Sequence, residues 1–127
     1  TKNKILLIKQ YGKAFNVLVA GYITKGENAK ETLIREIKEE VGLDISIDDL
    51  HQLGEREFTI RDSNSHITYF YYIRSNLNEK DFIIQKEELS EVKWFDIDEV
   101  IDMIKKNDSS IVFDEKRLKL FEQLRNI

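Results

Sequence analysis

Short apolar runs separated by polar turns recur along this chain, and this pattern is typical of buried β-strands. The first two runs, KILLIKQ and NVLVA, flank a turn predicted at residues 11–13 around Gly12. A polar turn at 62–65 is predicted to join two later strands into an antiparallel pair. The predicted strands cover residues 4–10, 16–20, 53–60, 66–74 and 91–95.

After the second strand the apolar spacing changes to a helical period. Asn28 can cap the first turn, and Glu31 can reach back to the Asn28 backbone amide in a capping box. Gly42 can adopt the left-handed conformation that ends a helix. The apolar stripe of this helix consists of Leu33, Ile34, Ile37 and Val41. The sequence therefore predicts a helix from about Ala29 to Val41.

Two further helices are predicted near the C-terminus. Asp96 and Glu99 form a second capping-box signal, for a helix that continues to about Lys106. A third amphipathic helix is predicted from Asp114 to about Arg125. With 127 residues and 41% hydrophobic content, the chain is expected to form a single domain with an ordinary core.

Composition excludes several classes of function. The chain has no cysteine, so disulfides, thiolate zinc sites and cysteine nucleophiles are excluded. A net charge of -4 argues against broad binding to nucleic acid, which favours a small-molecule partner. No apolar stretch is long enough to span a membrane, and no signal-peptide pattern precedes the first strand. We therefore expect a cytoplasmic protein that binds no nucleic acid and no membrane.

Three carboxylates lie within about 100° of arc on the first predicted helix, beside its apolar stripe. They belong to Glu36, Glu39 and Glu40. Like charges at i and i+4 cost an isolated helix about 0.2 to 0.5 kcal/mol, so something is expected to offset the repulsion. A Mg²⁺ or Mn²⁺ ion is a good candidate because hard cations take oxygen ligands. The alternative is a solvated charged face, as on many Glu-rich helices.

The whole segment from Gly21 to Leu43 resembles the Nudix box, the signature of the Nudix hydrolase superfamily. Its fixed letters are matched by Gly21, Glu27, Arg35, Glu36, Glu39, Glu40 and Gly42, and its aliphatic positions by Ile37 and Leu43. The resemblance implies an α/β Nudix fold, with a mixed β-sheet sandwiched between α-helices. Members of the family usually have another strand before the one at 4–10, so this chain is expected to lack an N-terminal strand or an upstream segment.

The resemblance also implies hydrolysis of a pyrophosphate bond with Mg²⁺ or Mn²⁺ as cofactor. Glu36 and Glu40 are then the expected metal ligands, and Glu39 is either a third ligand or the general base. A further ligand or base is expected just before the Trp-containing strand, where Glu88 is preferred over Glu87 and Glu91. An acidic surface loop is the alternative interpretation of that stretch.

Other residues of the box have supporting or substrate-binding roles by the same resemblance. Arg35 belongs to the catalytic group, although an orienting role in a pair with Glu31 or Glu27 is favoured. Glu27 and Gly42 are expected to give structural support. The substrate-binding residues are expected to be Gly21 and Tyr22.

The substrate remains open among several nucleotides. Residues 18–22 and 87–89 look most similar to the NADH diphosphatase branch, but that branch has a proline-rich segment and a zinc ribbon, and this chain has neither proline nor cysteine. ADP-ribose, dinucleoside polyphosphates, nucleoside triphosphates and nucleotide sugars are the other candidates. A homodimer is one alternative for the oligomeric state.

Two rival functions share this fold. One is an isopentenyl diphosphate isomerase, whose chemistry relies on an active-site cysteine that is absent here. The other is a non-catalytic, Nudix-like nucleotide-binding or regulatory module. Such modules typically lose box carboxylates, and this chain keeps them all.

Overall fold

The structure is a computed structural model that describes residues 4–17, 28–54, 57–61, 64–112 and 114–127. Its strands are β1 (Lys4–Gln10), β2 (Phe15–Asn16), β3 (His51–Gln52), β4 (Glu57–Arg61), β5 (Asn64–Thr68), β6 (Tyr71–Tyr72) and β7 (Leu89–Asp96). Its helices are α1 (Ala29–Val41), α2 (Ile97–Lys105) and α3 (Glu115–Arg125). In the described ranges, no helix combines the length and the apolar composition needed to cross a bilayer.

A three-stranded antiparallel sheet in the order β2-β1-β7 lies at the centre of the molecule. β1 pairs with β7 along its whole length, with Ile8 opposite Val92 and Ile5 opposite Phe95. Side chains alternate between the two faces of a strand, so the consecutive apolar residues of KILLIKQ supply both faces. The sequence prediction for β1 is confirmed.

Each face of this sheet is covered by helices. Leu7 and Phe95 pack on one side against α2 and α3, in a core that includes Val100 and the fully buried Phe121. On the other side, α1 packs against β1 and β7 in a second core. The buried members of that core are Ile8, Ile37, Val41, Phe82, Leu89 and Val92. The predicted sandwich of a sheet between helices is therefore confirmed.

The remaining strands differ from the prediction in how they divide. β4 pairs with β5, and β3 pairs with β6, so the predicted strand at 66–74 is split between two partners. The ladder of β3 and β6 continues where the Leu53 amide donates to the Phe70 carbonyl, 2.7 Å away. In the described ranges the strands form three antiparallel sheets instead of one mixed sheet. The parallel component there is a single bridge between Phe15 and Ile111.

The C-terminal helices begin close to where the sequence predicts. α3 starts after Asp114, whose side chain accepts a hydrogen bond from the Arg117 amide. The predicted capping box of α2 is wrong, because the Asp96 side chain makes no cap hydrogen bond. Asp96 is still the last residue of β7 and pairs with Lys4, so the strand passes into the helix without a separate cap.

Candidate active site

The helix α1 forms as its local sequence predicts. The Asn28 side chain accepts from the Glu31 amide at 2.8 Å, and Glu31 accepts in return from the Asn28 amide at 3.2 Å. The helix ends at Gly42, which has a φ of 70° in the left-handed region. Ile37 and Val41 are buried against the sheet, which leaves the neighbouring face of the helix to carry the carboxylates.

Glu40 is the most perturbed carboxylate of this face. Its pKa is raised from 4.5 to about 7, mainly by burial and then by the negative charges of Glu36, Glu88 and Glu39, in that order. Its Oε2 atom is buried without a hydrogen-bond partner in the described part of the chain. The three neighbours that act on this carboxylate are all acidic, so none of them supplies a counter-charge for it.

Arg35 contacts two of the same carboxylates. Its Nη1 lies 3.3 Å from an oxygen of Glu36 and 3.2 Å from an oxygen of Glu39. Glu31, one of its two predicted partners, is used in the capping box at the start of the helix. The other predicted partner, Glu27, lies outside the described residues. Arg35 is therefore placed to orient Glu36 and Glu39.

Glu88 reaches α1 because the chain before β7 is bonded to the end of that helix. The Ile83 amide donates to the Val41 carbonyl at 3.0 Å, and the Gln85 amide donates to the Glu40 carbonyl at 2.8 Å. The Glu88 amide then donates to the Gln85 carbonyl at 3.0 Å and closes a turn. We call residues 85–88 the Glu88 turn. It brings together two acidic residues that are far apart in sequence.

Gly42 permits this approach for two reasons. Its positive φ is strained for any residue with a Cβ. A Cβ added at this position would also lie 2.7 Å from the Ile83 Cβ and 3.0 Å from the Ile83 carbonyl oxygen. The glycine is thus needed both to end the helix and to let residues 83–85 lie against it.

The structure brings four of the sequence-predicted carboxylates near one another, and we call them the carboxylate cluster. They are Glu36, Glu39, Glu40 and Glu88. Three other predicted site residues lie outside the described residues, namely Gly21, Tyr22 and Glu27. Within the described ranges, no three acidic or histidine side chains are grouped closely enough to hold a metal ion by themselves.

One neighbour of the cluster was missed by the sequence interpretation. Tyr11 donates a hydrogen bond of 2.7 Å from its hydroxyl to the Lys86 carbonyl in the Glu88 turn. The two residues are 75 positions apart, and the acceptor is a backbone atom. No side-chain motif could therefore have indicated the contact.

A cavity of about 2020 Å³ lies elsewhere, beside the apolar face of α1. Its walls include Leu33 and Ile37 of the helix, Leu6 of β1 and residues 69–80. None of the four clustered carboxylates lines it. The carboxylate cluster and this cavity are therefore separate features of the surroundings of α1.

Comparison with known proteins identifies similar chains. Residues 1–114 match the family profile described as the NUDIX domain. An ADP-ribose pyrophosphatase from Methanocaldococcus jannaschii is 38% identical over 74 residues, which make up 56% of this chain and 43% of that protein. The NAD-capped RNA hydrolase NudC from Vibrio atlanticus is 28% identical over 103 residues, covering 80% of this chain and 36% of the relative. The chain thus spans less than half the length of either relative.

The fold is also similar to that of a solved structure. The crystal structure of DR0079 from Deinococcus radiodurans aligns with a TM-score of 0.68 and 18% sequence identity. The alignment covers 98% of this chain and 76% of that protein. At this identity the similarity supports the fold alone.

Proposed function

Because this chain belongs to the NUDIX domain family, we propose that it hydrolyses the pyrophosphate bond of a nucleoside diphosphate derivative with the help of a divalent cation. The observation that carries the proposal is the environment of the Glu40 carboxylate. Its buried oxygen has no hydrogen-bond partner among the described residues, and burial together with three acidic neighbours raises its pKa to about 7. A cation would supply a counter-charge that this carboxylate does not receive from those three neighbours.

The residues of the cluster fit Mg²⁺ or Mn²⁺. All their donors are carboxylate oxygens, which these ions prefer, and the chain has no cysteine to favour a softer metal. Magnesium is commonly held by one or two carboxylates together with substrate phosphates. Glu36 and Glu40 would hold the ion in that manner, so a complete protein cage is not required.

A bound divalent cation would neutralise phosphate oxygens and lower the pKa of a water molecule. Side chains of the protein would orient the carboxylates and accept the proton of the attacking water. Arg35 holds Glu39 and Glu36 through its guanidinium, which fixes the orientation of both carboxylates. Glu88 is exposed at the rim and is the better candidate to accept the proton of the attacking water, because Glu39 already accepts hydrogen bonds from Arg35.

The two relatives suggest where to search for the substrate. One is named for ADP-ribose and the other for NAD-capped RNA, and both molecules contain adenosine attached to a pyrophosphate. We therefore propose an adenosine diphosphate derivative as the substrate class, with ADP-ribose and NADH as the first compounds to test.

The purified chain is expected to release AMP from at least one such compound only when Mg²⁺ or Mn²⁺ is present, and to lose that activity in EDTA. The panel comprises ADP-ribose, NADH, a dinucleoside polyphosphate, a nucleoside triphosphate and a nucleotide sugar, with AMP and phosphate quantified by chromatography. Tight nucleotide binding without turnover across the panel would favour the non-catalytic module instead.

Glu88→Gln is expected to lower kcat by about 10-fold or more, because it removes a carboxylate from the cluster without changing the shape of the side chain. Glu87→Gln is the matched comparison in the same turn, and it is expected to change kcat by less than about 2-fold, since Glu87 is not among the groups that raise the pKa of Glu40. Steady-state kinetics with saturating cation measures both. Equal losses in the two variants would remove Glu88 from the proposed site.

A further inference from the structure

The Glu88 turn is fixed to the rest of the molecule on both of its sides. The Gln85 amide bonds to the Glu40 carbonyl of α1 at the start of the turn. At its end, Leu89 is only 1% exposed in the core, and the Ser90 hydroxyl donates to the Lys9 carbonyl at 3.1 Å. Residues 86–88, which include Glu88, lie between these two anchors.

Tyr11 is hydrogen-bonded to this segment. It follows β1, and 59% of its surface is exposed, so burial of its ring contributes little to the stability of the fold. Its hydroxyl nevertheless makes a hydrogen bond of 2.7 Å to the Lys86 carbonyl, two residues before Glu88. Because the ring of Tyr11 is exposed, its hydrogen bond is better explained by a role in holding the turn in place than by packing of the ring.

We propose that Tyr11 is a positioning residue for Glu88. This inference rests on the proposed function, because it assigns Tyr11 to the same site. Tyr11 restrains the turn about the axis set by its two anchors and keeps the Glu88 carboxylate beside Glu40. When the hydroxyl is absent, the turn can pivot and the carboxylate spends less time at the cluster.

A double-mutant cycle separates this role from a general effect on stability. The variants are Tyr11→Phe, Glu88→Gln and the double variant, and each is measured for kcat, KM and the Mn²⁺ dissociation constant. Tyr11→Phe should lower kcat and weaken Mn²⁺ binding by about 3- to 10-fold, as expected for one lost hydrogen bond, with KM nearly unchanged. In the Glu88→Gln background the same substitution should have no further effect on either quantity.

Tyr69→Phe is the matched control, since Tyr69 is also exposed and its ring stacks on Tyr71 away from the Glu88 turn. It should leave kcat and Mn²⁺ affinity at the wild-type level. The proposal is overturned if Tyr11→Phe matches the wild type, or if it causes the same loss in both backgrounds. Mn²⁺ affinity decides these outcomes even if no substrate is turned over, so failure of the hydrolysis proposal is seen separately in the substrate panel.

Discussion

Glu40→Gln is expected to lower hydrolysis by about 100-fold or more, and at pH 8 to make the metal-free protein more stable than the wild type. The loss of activity follows from removing an expected metal ligand, since even second-shell changes at metal sites cost about 10- to 100-fold. The gain in stability follows from removing a half-buried negative charge that faces three other carboxylates.

The sign of the pH effect follows from the raised pKa. The folded protein holds a proton on Glu40 up to about pH 7, whereas the unfolded chain releases it near 4.5. The folded state therefore binds more protons between these values, and the metal-free wild type loses stability as pH rises through this window. At about 1.4 kcal/mol per pH unit, a rise of the Glu40 pKa from 4.5 to about 7 sets an upper limit between about 3 and 4 kcal/mol. Solvent screening at a half-buried site reduces the expected loss to about 1 to 2 kcal/mol.

Urea unfolding in EDTA at pH 5 and pH 8 measures this difference. The variant and the wild type should be nearly equal at pH 5, where Glu40 of the folded wild type is protonated, and the variant should be the more stable protein at pH 8. Added Mn²⁺ should raise the stability of the wild type much more than that of the variant. An equal difference at both pH values would contradict the assigned state of Glu40.

Glu99→Gln provides the control for this experiment. Glu99 is an exposed carboxylate in the first turn of α2, which packs on the opposite face of the central sheet. Its replacement removes one negative charge without touching the carboxylate cluster. Activity, Mn²⁺ stabilisation and the pH dependence of unfolding should therefore remain as in the wild type.

Gly42→Ala is expected to lower the free energy of unfolding by about 2 to 5 kcal/mol and to reduce kcat. The left-handed backbone costs a Cβ-bearing residue about 1 to 2 kcal/mol. The collision with the Ile83 Cβ at 2.7 Å adds an overpacking cost of about 1 to 3 kcal/mol. Residues 83–85 must move away from α1 to relieve it, and they carry the Glu88 turn with them.

Gly12→Ala separates the two costs. Gly12 has the same φ of 70°, but a Cβ added there would meet no atom within 4 Å. This variant should lose only about 1 to 2 kcal/mol of unfolding free energy. Thermal and urea unfolding of the two variants measure the difference. If the two variants are equally destabilised, the close approach of Ile83 to Gly42 does not contribute.

Features that depend on near neighbours in the chain could be predicted well. The bounds of α1, its capping box and its left-handed end all follow from residues within four positions of one another. β1 could be predicted as well, because a strand buried on both faces needs a continuous apolar run. The capping box of α2 was wrong because the pairing of Asp96 with Lys4 extends β7 up to the helix, which local spacing does not reveal.

The partners of Arg35 illustrate a limit of helical spacing. Glu31 and Glu39 lie four residues before and after Arg35, so the spacing alone allowed a pair with either. The structure places the guanidinium on Glu39 and Glu36 and gives the Glu31 carboxylate to the Asn28 amide. The sequence allows the Glu31 carboxylate either to complete the capping box or to pair with Arg35, and the structure shows it in the capping box.

The sequence by itself determined the family resemblance and the helix that carries the carboxylates of Glu36, Glu39 and Glu40. These features can be read from residue types at fixed spacing, because residues three or four positions apart lie on the same face of a helix. The tertiary structure alone decided that Glu40 is half-buried, that Glu88 lies near it and that Tyr11 is hydrogen-bonded to the Glu88 turn. Those relations depend on backbone hydrogen bonds and close contacts between distant segments, which leave no periodic signal in the sequence.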